Sequence, residues 1–224
     1  MGHSCIRSLG TFINSSYFYR NLRLDYSEYE LMIRAKGGLT TDRLIHERSD
    51  LFSFEDTDKP DIVYLQIGGN DLSDQLLSPT KVAKSIYSFA CYLRYGLNIK
   101  IVVIGQLLLR NPNKVHKDYN SNVMTVNSTL EHLCKQEFLN IIFWKHHGFW
   151  ADLKHIHRDG THVKTSAMKQ YFRSVRSAVL HANTALVNIG FDYKYHTLSL
   201  LNNFGLSFIM LSKINYIMNI VTNS

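Results

Sequence analysis

Apolar residues form short runs along this chain that are typical of buried parallel strands. The clearest runs are Ile62–Ile67, Ile99–Ile104 and Asn140–Trp144, and Glu30–Ala35 is a shorter one ahead of them. Nearly continuous apolar segments of this length, bounded by glycine, proline or asparagine, are expected where a strand is covered on both faces. The pattern therefore predicts parallel strands at these four places.

Segments with apolar residues at helical spacing lie between and around these runs. They follow Ser4, Ser78-Pro79, Asp118 and Thr165. Serine followed by proline is typical of a helix start, because the serine side chain caps the first turn and proline is tolerated at the first helical position. Strand and helix thus alternate, which predicts an α/β fold with a parallel sheet and helices on both of its faces.

The length and the change of composition near the C-terminus predict one domain and an extension. With 224 residues and 45% apolar content, the chain can form one sizeable core, which we assign to residues 1–181. Residues 182–224 are expected to pack poorly as an extension, with an extra docked element as the second interpretation and a membrane anchor as the third. The span 198–221 is long enough to cross a bilayer, but polar residues interrupt it: Asn202, Asn203, Lys213, Asn215 and Asn219.

The charge and cysteine content narrow the class of protein only slightly. The net charge of +7 comes from scattered lysines and arginines, which predicts a mild preference for anionic partners. The basic blocks typical of nucleic-acid binders are missing, so the sequence disfavours a nucleic-acid partner without excluding it. Cys5, Cys91 and Cys134 are far apart and without C-x-x-C spacing, so we expect them in the core. No secretory signal pattern opens the chain, so the compartment stays open, with the cytoplasm as default. The oligomeric state is not predicted.

The segment Asp159-Gly160-Thr161-His162 places an acid three residues before a histidine, with a glycine between them. A histidine becomes a useful general base when a carboxylate fixes its tautomer and stabilises the imidazolium. Alone, this spacing is common in surface turns. The segment indicates a catalytic base only if a nucleophile and oxyanion donors occur elsewhere in the chain.

Three other segments could supply those groups. Ser4 begins a helix, where it is either an N-cap or a nucleophile beside free backbone N–H groups. Gly37-Gly38 follows one predicted strand, and Gly68-Gly69-Asn70-Asp71 follows the next. Since parallel strands end at one edge of a sheet, these segments are predicted to be neighbours.

Histidine and arginine side chains between residues 105 and 158 suggest other roles. His146, His147, His155 and His157 lack an acid or cysteine at ligand spacing, so no metal site is predicted. Arg110 and His116, in the loop after the strand 99–104, could reach a substrate, but we expect surface charge as the role of both.

Taken together, the blocks Gly2-His3-Ser4, Gly38, Gly68-Gly69-Asn70-Asp71 and Asp159-Gly160-Thr161-His162 resemble those of the SGNH, or GDSL-type, hydrolases. The resemblance covers residues 1–181 in the family's order. It implies a three-layer α/β/α sandwich, usually with five parallel strands. No G-x-S-x-G elbow occurs in the sequence, which disfavours the α/β-hydrolase class.

The resemblance also implies an activity and the residues that perform it. Ser4 would be the nucleophile, His162 the base and Asp159 its orienting acid, while the Ser4 N–H, the Gly38 N–H and the Asn70 side chain would bind the oxyanion. The implied reaction is hydrolysis of small carboxylic esters, whether lipid, acyl or acetyl-carbohydrate, without a cofactor.

Two features depart from the family pattern. His3 stands where the family has an aspartate, and the first, central strand before the nucleophile is missing from the chain, which led us to expect a truncated gene product. These departures leave two alternatives to an esterase. One is a catalytically weak SGNH-like binding module, possibly derived from a mobile element, and the other is a chain that does not fold stably.

Overall fold

The fold alternates strands and helices, as the apolar pattern predicts. The computed structural model describes residues 1–54, 59–136, 140–149 and 153–204. Its strands and α-helices, in chain order, are α1 Ser4–Asn14, α2 Thr41–Glu47, β1 Ile62–Leu65, α3 Pro79–Cys91, β2 Ile101–Gly105, α4 Tyr119–Gln136, β3 Ile141–Trp144 and α5 Thr165–Phe204. Short 3₁₀ turns are Tyr17–Arg23, Ser49–Leu51, Asp71–Ser73, Pro112–Lys114 and Leu153–His155, and the π-helical turn Tyr92–Gly96 extends α3.

The three strands form a parallel sheet in the order β1-β2-β3. Ile62 pairs with Ile101, and Val102 pairs with Ile141. The apolar runs at 62–67, 99–104 and 140–144 therefore become strands, as predicted. Because the strands are parallel, their carboxyl ends meet at one edge of the sheet.

Residues 1–3 add a further parallel segment beside β1. Gly2 makes isolated parallel bridges to Ala35 on one side and to Gln66 on the other. The Gly2 N–H donates to the Arg34 carbonyl at 3.1 Å, and the His3 N–H donates to the Gln66 carbonyl at 3.1 Å. Five extended segments thus run side by side. The segment just before Ser4 lies between Ala35 on one side and the strands β1, β2 and β3 on the other.

The prediction of a strand at Glu30–Ala35 is wrong in extent. Only the bridge from Ala35 to Gly2 forms there, with no ladder assigned to residues 30–34. A strand requires consecutive backbone pairings, and a single bridge supplies one. The segment still brings Gly37 and Gly38 to the edge where β1 ends.

Alternating side chains on the strands divide the core into two layers. Val63 and Leu65 of β1 belong to the apolar cluster that includes α3 and α4. Tyr64 points to the opposite face, where its ring lies near His146 and its hydroxyl shares a hydrogen-bonded network with Tyr171 of α5. Helices therefore cover both faces of the sheet, which confirms the predicted three-layer α/β/α sandwich.

The chain divides into two compact units, residues 1–183 and residues 184–224. The predicted boundary between a family domain at 1–181 and an extension at 182–224 stays a prediction. Most of the span 198–221 lies outside the described residues. Within the residues that the structure describes, no helix is long and apolar enough to cross a membrane.

Candidate active site

Asp159 and His162 lie in a tight hairpin between β3 and α5. An antiparallel bridge between Ile156 and Val163 closes the hairpin. Gly160, at its tip, has a φ angle of +79°, a conformation that glycine adopts without the steric cost of a side chain. The turn thus brings the acid and the histidine onto the same side of the loop.

The Asp159 carboxylate is held by three N–H donors. Its Oδ1 accepts from the backbone N–H groups of Thr161 at 2.8 Å and His162 at 3.0 Å, and its Oδ2 lies 2.9 Å from His162 Nδ1. Burial opposes the charged form, but the backbone donors and the His162 imidazole outweigh it and hold the pKa of Asp159 well below its usual value. Since an ionised carboxylate only accepts, Nδ1 of His162 carries a proton and Nε2 remains as its basic nitrogen.

A second imidazole contacts the same carboxylate. His157 Nδ1 lies 3.1 Å from Asp159 Oδ2 and accepts from the Asp159 backbone N–H at 3.3 Å. The contact from His162 is the shorter of the two, at 2.9 Å, and the His162 backbone N–H donates to the same carboxylate at 3.0 Å. Sequence reasoning placed His157 only among possible metal ligands, although its H-x-D spacing could have indicated this contact.

Ser4 is the first residue of α1 and is 6% exposed. The capping role that the sequence offered for Ser4 belongs to its neighbour, because His3 Nδ1 accepts from the Cys5 N–H at 3.3 Å. Within the described part of the chain, the Ser4 backbone N–H has no acceptor, as is usual in the first turn of a helix. Both the hydroxyl and the N–H of Ser4 are therefore free for other partners.

His3 is buried and uncharged. Burial first, and then the positive charge of Arg110, lower the pKa of His3 to about 3. A neutral imidazole is required for the capping bond, because a protonated one has no acceptor nitrogen.

Gly38 and Asn70 lie next to each other at this edge of the sheet. Asn70 Nδ2 donates to the Leu39 carbonyl at 3.0 Å. Gly38 has a φ angle of +70°, and a Cβ added there would meet nothing within 4 Å, whereas one added at Gly37 would come within 2.9 Å of the Arg7 guanidinium. Gly38 therefore borders open space, while Gly37 packs against α1.

Asp71 fixes the same loop one step further on. Its Oδ1 accepts from the Thr41 N–H at 2.9 Å, at the start of α2. The G-G-N-D block therefore contacts the loop after Gly38 at two consecutive residues, Asn70 at Leu39 and Asp71 at Thr41. Together the two contacts hold Gly38 and the Asn70 amide in a fixed relation.

The expectation that Arg110 and His116 are surface charges is wrong for Arg110, whose side chain is 7% exposed. Arg110 Nη2 donates to Asn70 Oδ1 at 3.1 Å. His116 is partly buried, with Nε2 2.8 Å from the Leu72 carbonyl. The loop after β2 folds back over the G-G-N-D block, and no local pattern in the sequence indicates that return.

Ser4, Gly38 and Asn70 lie where neighbouring extended segments end, and the Asp159–His162 hairpin joins the loop after β2, because the Gly160 carbonyl accepts from the Asn111 N–H at 2.8 Å. In the described chain, no hydrogen bond joins Ser4 Oγ to His162. Catalytic hydrogen bonds of this kind often form fully only when substrate is bound. The roles assigned to these residues from the sequence stay predictions.

The histidines between 146 and 157 do not form a metal centre among the described residues, where no group of three or more His, Cys, Asp or Glu side chains could hold an ion. His146 is fully buried instead, with Nε2 2.9 Å from the Tyr64 hydroxyl and Nδ1 2.8 Å from Ser174 Oγ. Burial lowers the pKa of His146 to about 3. It is therefore a neutral member of the network between the sheet and α5.

Solved structures with a similar fold are hydrolases. A GDSL-like lipase from Bacteroides thetaiotaomicron is 18% identical over 81% of this chain and 86% of that one, with a TM-score of 0.60. A lipase/acylhydrolase from Enterococcus faecalis is 14% identical over 80% and 92%, with a TM-score of 0.55. A carbohydrate esterase of family 3 from Talaromyces cellulolyticus is 13% identical over 66% and 69%, with a TM-score of 0.54. At these identities the likeness shows the fold.

The sequence itself shows the family. No curated protein matches the chain. The profile of the family described as GDSL-like Lipase/Acylhydrolase matches residues 7–175, which is more than half of the chain. This chain therefore belongs to the GDSL-like lipase and acylhydrolase family of ester hydrolases.

Proposed function

We propose that this chain hydrolyses carboxylic esters with Ser4 as the nucleophile, His162 as the general base and Asp159 as the orienting acid. The observation that carries the proposal is the 2.9 Å contact between Asp159 Oδ2 and His162 Nδ1. It fixes the imidazole tautomer in which Nε2 is available to accept a proton.

In the first half of the reaction, Ser4 Oγ attacks the ester carbonyl carbon while its proton passes to His162 Nε2. The Oγ–C bond forms as the carbonyl π electrons move onto oxygen. The resulting imidazolium is stabilised by the ionised carboxylate of Asp159. When the tetrahedral intermediate collapses, the alcohol leaves with the proton from His162, and the acyl group stays on Ser4.

Three N–H donors are available for the oxyanion. They are the backbone N–H of Ser4, the backbone N–H of Gly38 and the second Nδ2–H of Asn70, since the first donates to Leu39. Donors held by a helix start and by a hydrogen-bonded loop need little rearrangement when charge develops, which is what lowers the barrier.

Water completes the cycle with the same groups. His162 Nε2 takes a proton from water, and the hydroxide oxygen attacks the acyl carbon as Ser4 Oγ leaves and is reprotonated by the imidazolium. The carboxylic acid is released, and the enzyme returns to its starting state. No step requires a metal or an organic cofactor.

The substrate class is a small carboxylic ester. Ser4 is 6% exposed, so little of the candidate nucleophile meets solvent, which favours a compact acyl group. Gly38 borders open space beside the candidate donors, which leaves room for a compact acyl group there. Short p-nitrophenyl esters, such as the acetate, are therefore the first probes to use.

The test compares wild type with Ser4→Ala and His162→Ala on p-nitrophenyl acetate. Each substitution is expected to lower kcat by at least about 10³-fold, because members of a triad act as a unit. Asn70→Ala is expected to lower kcat by about 10²–10³-fold through loss of one oxyanion donor. Ser8→Ala, one turn later on α1, is the matched control and should retain activity. Wild-type turnover no higher than that of Ser4→Ala would reject the proposal.

The alternative of a weakly catalytic binding module drew support from His3 and from the net charge of +7. His3 supplies the cap of α1 through Nδ1, as an aspartate side chain can, so its presence no longer favours that alternative. Salt-sensitive binding of RNA or DNA, without Ser4-dependent ester turnover, is the result that would favour it.

A further inference from the structure

Arg110 is a buried arginine whose guanidinium contacts the Asn70 amide. Its Nη2 donates to Asn70 Oδ1 at 3.1 Å, and its Nη1 donates to Ser73 Oγ at 3.1 Å. Its guanidinium carbon lies 4.8 Å from the centre of the Tyr119 ring. Two hydrogen bonds and one aromatic face thus fix the guanidinium beside the Asn70 amide.

The backbone of Arg110 is held as firmly as its side chain. Asn120 Oδ1 accepts from the Arg110 N–H at 2.9 Å, and Asn120 Nδ2 donates to the Arg110 carbonyl at 2.8 Å. The Tyr119 hydroxyl donates to the Gly69 carbonyl at 2.9 Å, which ties α4 to the G-G-N-D block. The start of α4 therefore clamps the Arg110 loop onto the block that carries Asn70.

No ion pair of Arg110 with an acid occurs in the part of the chain that the structure describes. The Asp71 carboxylate is engaged elsewhere, because its Oδ1 accepts from the Thr41 N–H. A guanidinium remains charged in proteins, and a buried charge without a counter-charge is costly. We therefore expect the charge of Arg110 to act on a neighbouring group of the candidate active site.

The two contacts of the Asn70 amide select one orientation. Arg110 can only donate, so it requires the amide oxygen, and the Leu39 carbonyl can only accept, so it requires the amide nitrogen. If the amide turned over, nitrogen would face the guanidinium and oxygen would face a carbonyl. Both contacts therefore direct Nδ2 toward Leu39 and leave its second N–H for another acceptor.

We infer that Arg110 is a positioning residue for ester hydrolysis, which acts by holding the Asn70 amide as an oxyanion donor. The inference rests on the proposed oxyanion role of Asn70. The cationic hydrogen bond to Oδ1 draws electron density from the amide, which makes Nδ2–H a stronger donor. The donor gains strength most where negative charge develops, so the effect falls on the transition state rather than on substrate binding.

The kinetic test uses Arg110→Met and Arg110→Lys on p-nitrophenyl acetate. Arg110→Met is expected to lower kcat by about 10–100-fold with KM changed by less than about 3-fold, which is the pattern of a contact made in the transition state. Arg110→Lys keeps the charge but loses the planar fork, so its kcat should fall between that of the Met variant and wild type. Arg48→Met, which removes an arginine paired with Asp50 away from this block, is the matched control.

The double variant with Asn70→Ala tests whether Arg110 acts through Asn70. Once the amide is absent, Arg110→Met should cost less than about 3-fold in addition. If the fold-loss in kcat of the double variant equals the product of the two single losses, the inference is overturned, because Arg110 would then act independently of Asn70.

A crystal structure of Arg110→Met gives a readout that does not need turnover. The Asn70 amide is expected to rotate away from the Leu39 carbonyl, and an Asn70 Nδ2 that still donates to the Leu39 carbonyl as in wild type would overturn the inference. The two proposals also fail differently. Absence of Ser4-dependent turnover in wild type rejects the esterase, whereas an active enzyme with an unaffected Arg110→Met variant rejects the positioning role alone.

Discussion

Asp71 Oδ1 accepts a hydrogen bond of 2.9 Å from the backbone N–H of Thr41, which lies 30 residues earlier in the chain. The contact anchors the loop that contains Gly38 to the segment that contains Asn70. Asp71 is 4% exposed, and burial raises the pKa of its carboxyl group. The hydrogen bond holds the two segments together, whereas burial makes the ionised carboxylate unfavourable. The hydrogen bond and the charge can therefore be tested by different substitutions.

Asp71→Ala is expected to destabilise the protein by about 1–3 kcal/mol, because the Thr41 N–H loses its acceptor in a buried site. Asp71→Asn keeps an oxygen acceptor and removes the buried charge, so its free energy of unfolding at pH 7 should be at least that of wild type. A raised folded-state pKa means that the contribution of Asp71 to stability is greatest below 3.8 and is lost as pH rises through the folded value. In urea unfolding from pH 4 to 7, the free energy of unfolding of Asp71→Asn should increase relative to that of wild type as pH rises. The same pH dependence in both proteins would contradict this account.

His3 is expected to be replaceable by aspartate. His3→Ala removes the cap of α1 and should cost about 1 kcal/mol. His3→Asp retains a capping oxygen and places a carboxylate near the uncompensated charge of Arg110, so its melting temperature should stay near that of wild type. Thermal melts of the two variants at pH 7 measure this directly. If the Asp variant melts as low as the Ala variant, the capping role assigned to His3 is wrong.

The two buried histidines predict an early loss of stability in acid. His3 and His146 have folded-state pKa values lowered to about 3 from 6.5, so the unfolded chain binds their protons first as pH falls. Their contribution is fully present above about pH 6.5 and is lost as pH falls toward 3, with a slope of about 1.4 kcal/mol per pH unit for each histidine. Urea unfolding between pH 6 and 4 measures the slope.

The variant that tests this slope is His146→Gln. Removing the buried His146 should reduce proton uptake on unfolding by about one proton. The readout is the slope and not the stability at one pH, because His146→Gln also changes the network with Tyr64 and Ser174. An unchanged slope in His146→Gln would show that this residue is not held neutral.

His157 and His162 are expected to differ strongly in their effect on turnover. Both Nδ1 atoms lie near Asp159 Oδ2, at 3.1 and 2.9 Å, but His157 Nδ1 is occupied as an acceptor of the Asp159 N–H. His157→Ala should therefore lower kcat by less than about 10-fold, against at least about 10³-fold for His162→Ala. The comparison uses the same p-nitrophenyl ester for both variants. A larger loss in His157→Ala would make His157 the base.

Local patterns in the sequence determined most of the fold. The apolar runs at 62–67, 99–104 and 140–144 became the three parallel strands, since such runs are stable only when both faces are covered. Ser78 and Pro79 marked the start of α3 because capping depends on neighbours within one turn. Glu30–Ala35 failed as a strand because pairing depends on the partner, and only Gly2 bridges it.

The candidate site was determined from sequence only where its groups are close along the chain or follow a strand. Asp159 and His162 are three residues apart, so their contact could be expected from the turn alone. Arg110 could not be placed, because the hydrogen bond to Asn70 joins residues 40 apart and depends on how α4 returns the loop after β2. The capping by His3 depended likewise on burial, which keeps its imidazole neutral and able to accept. Local patterns thus indicate the candidate groups, and tertiary packing decides which side chains contact them.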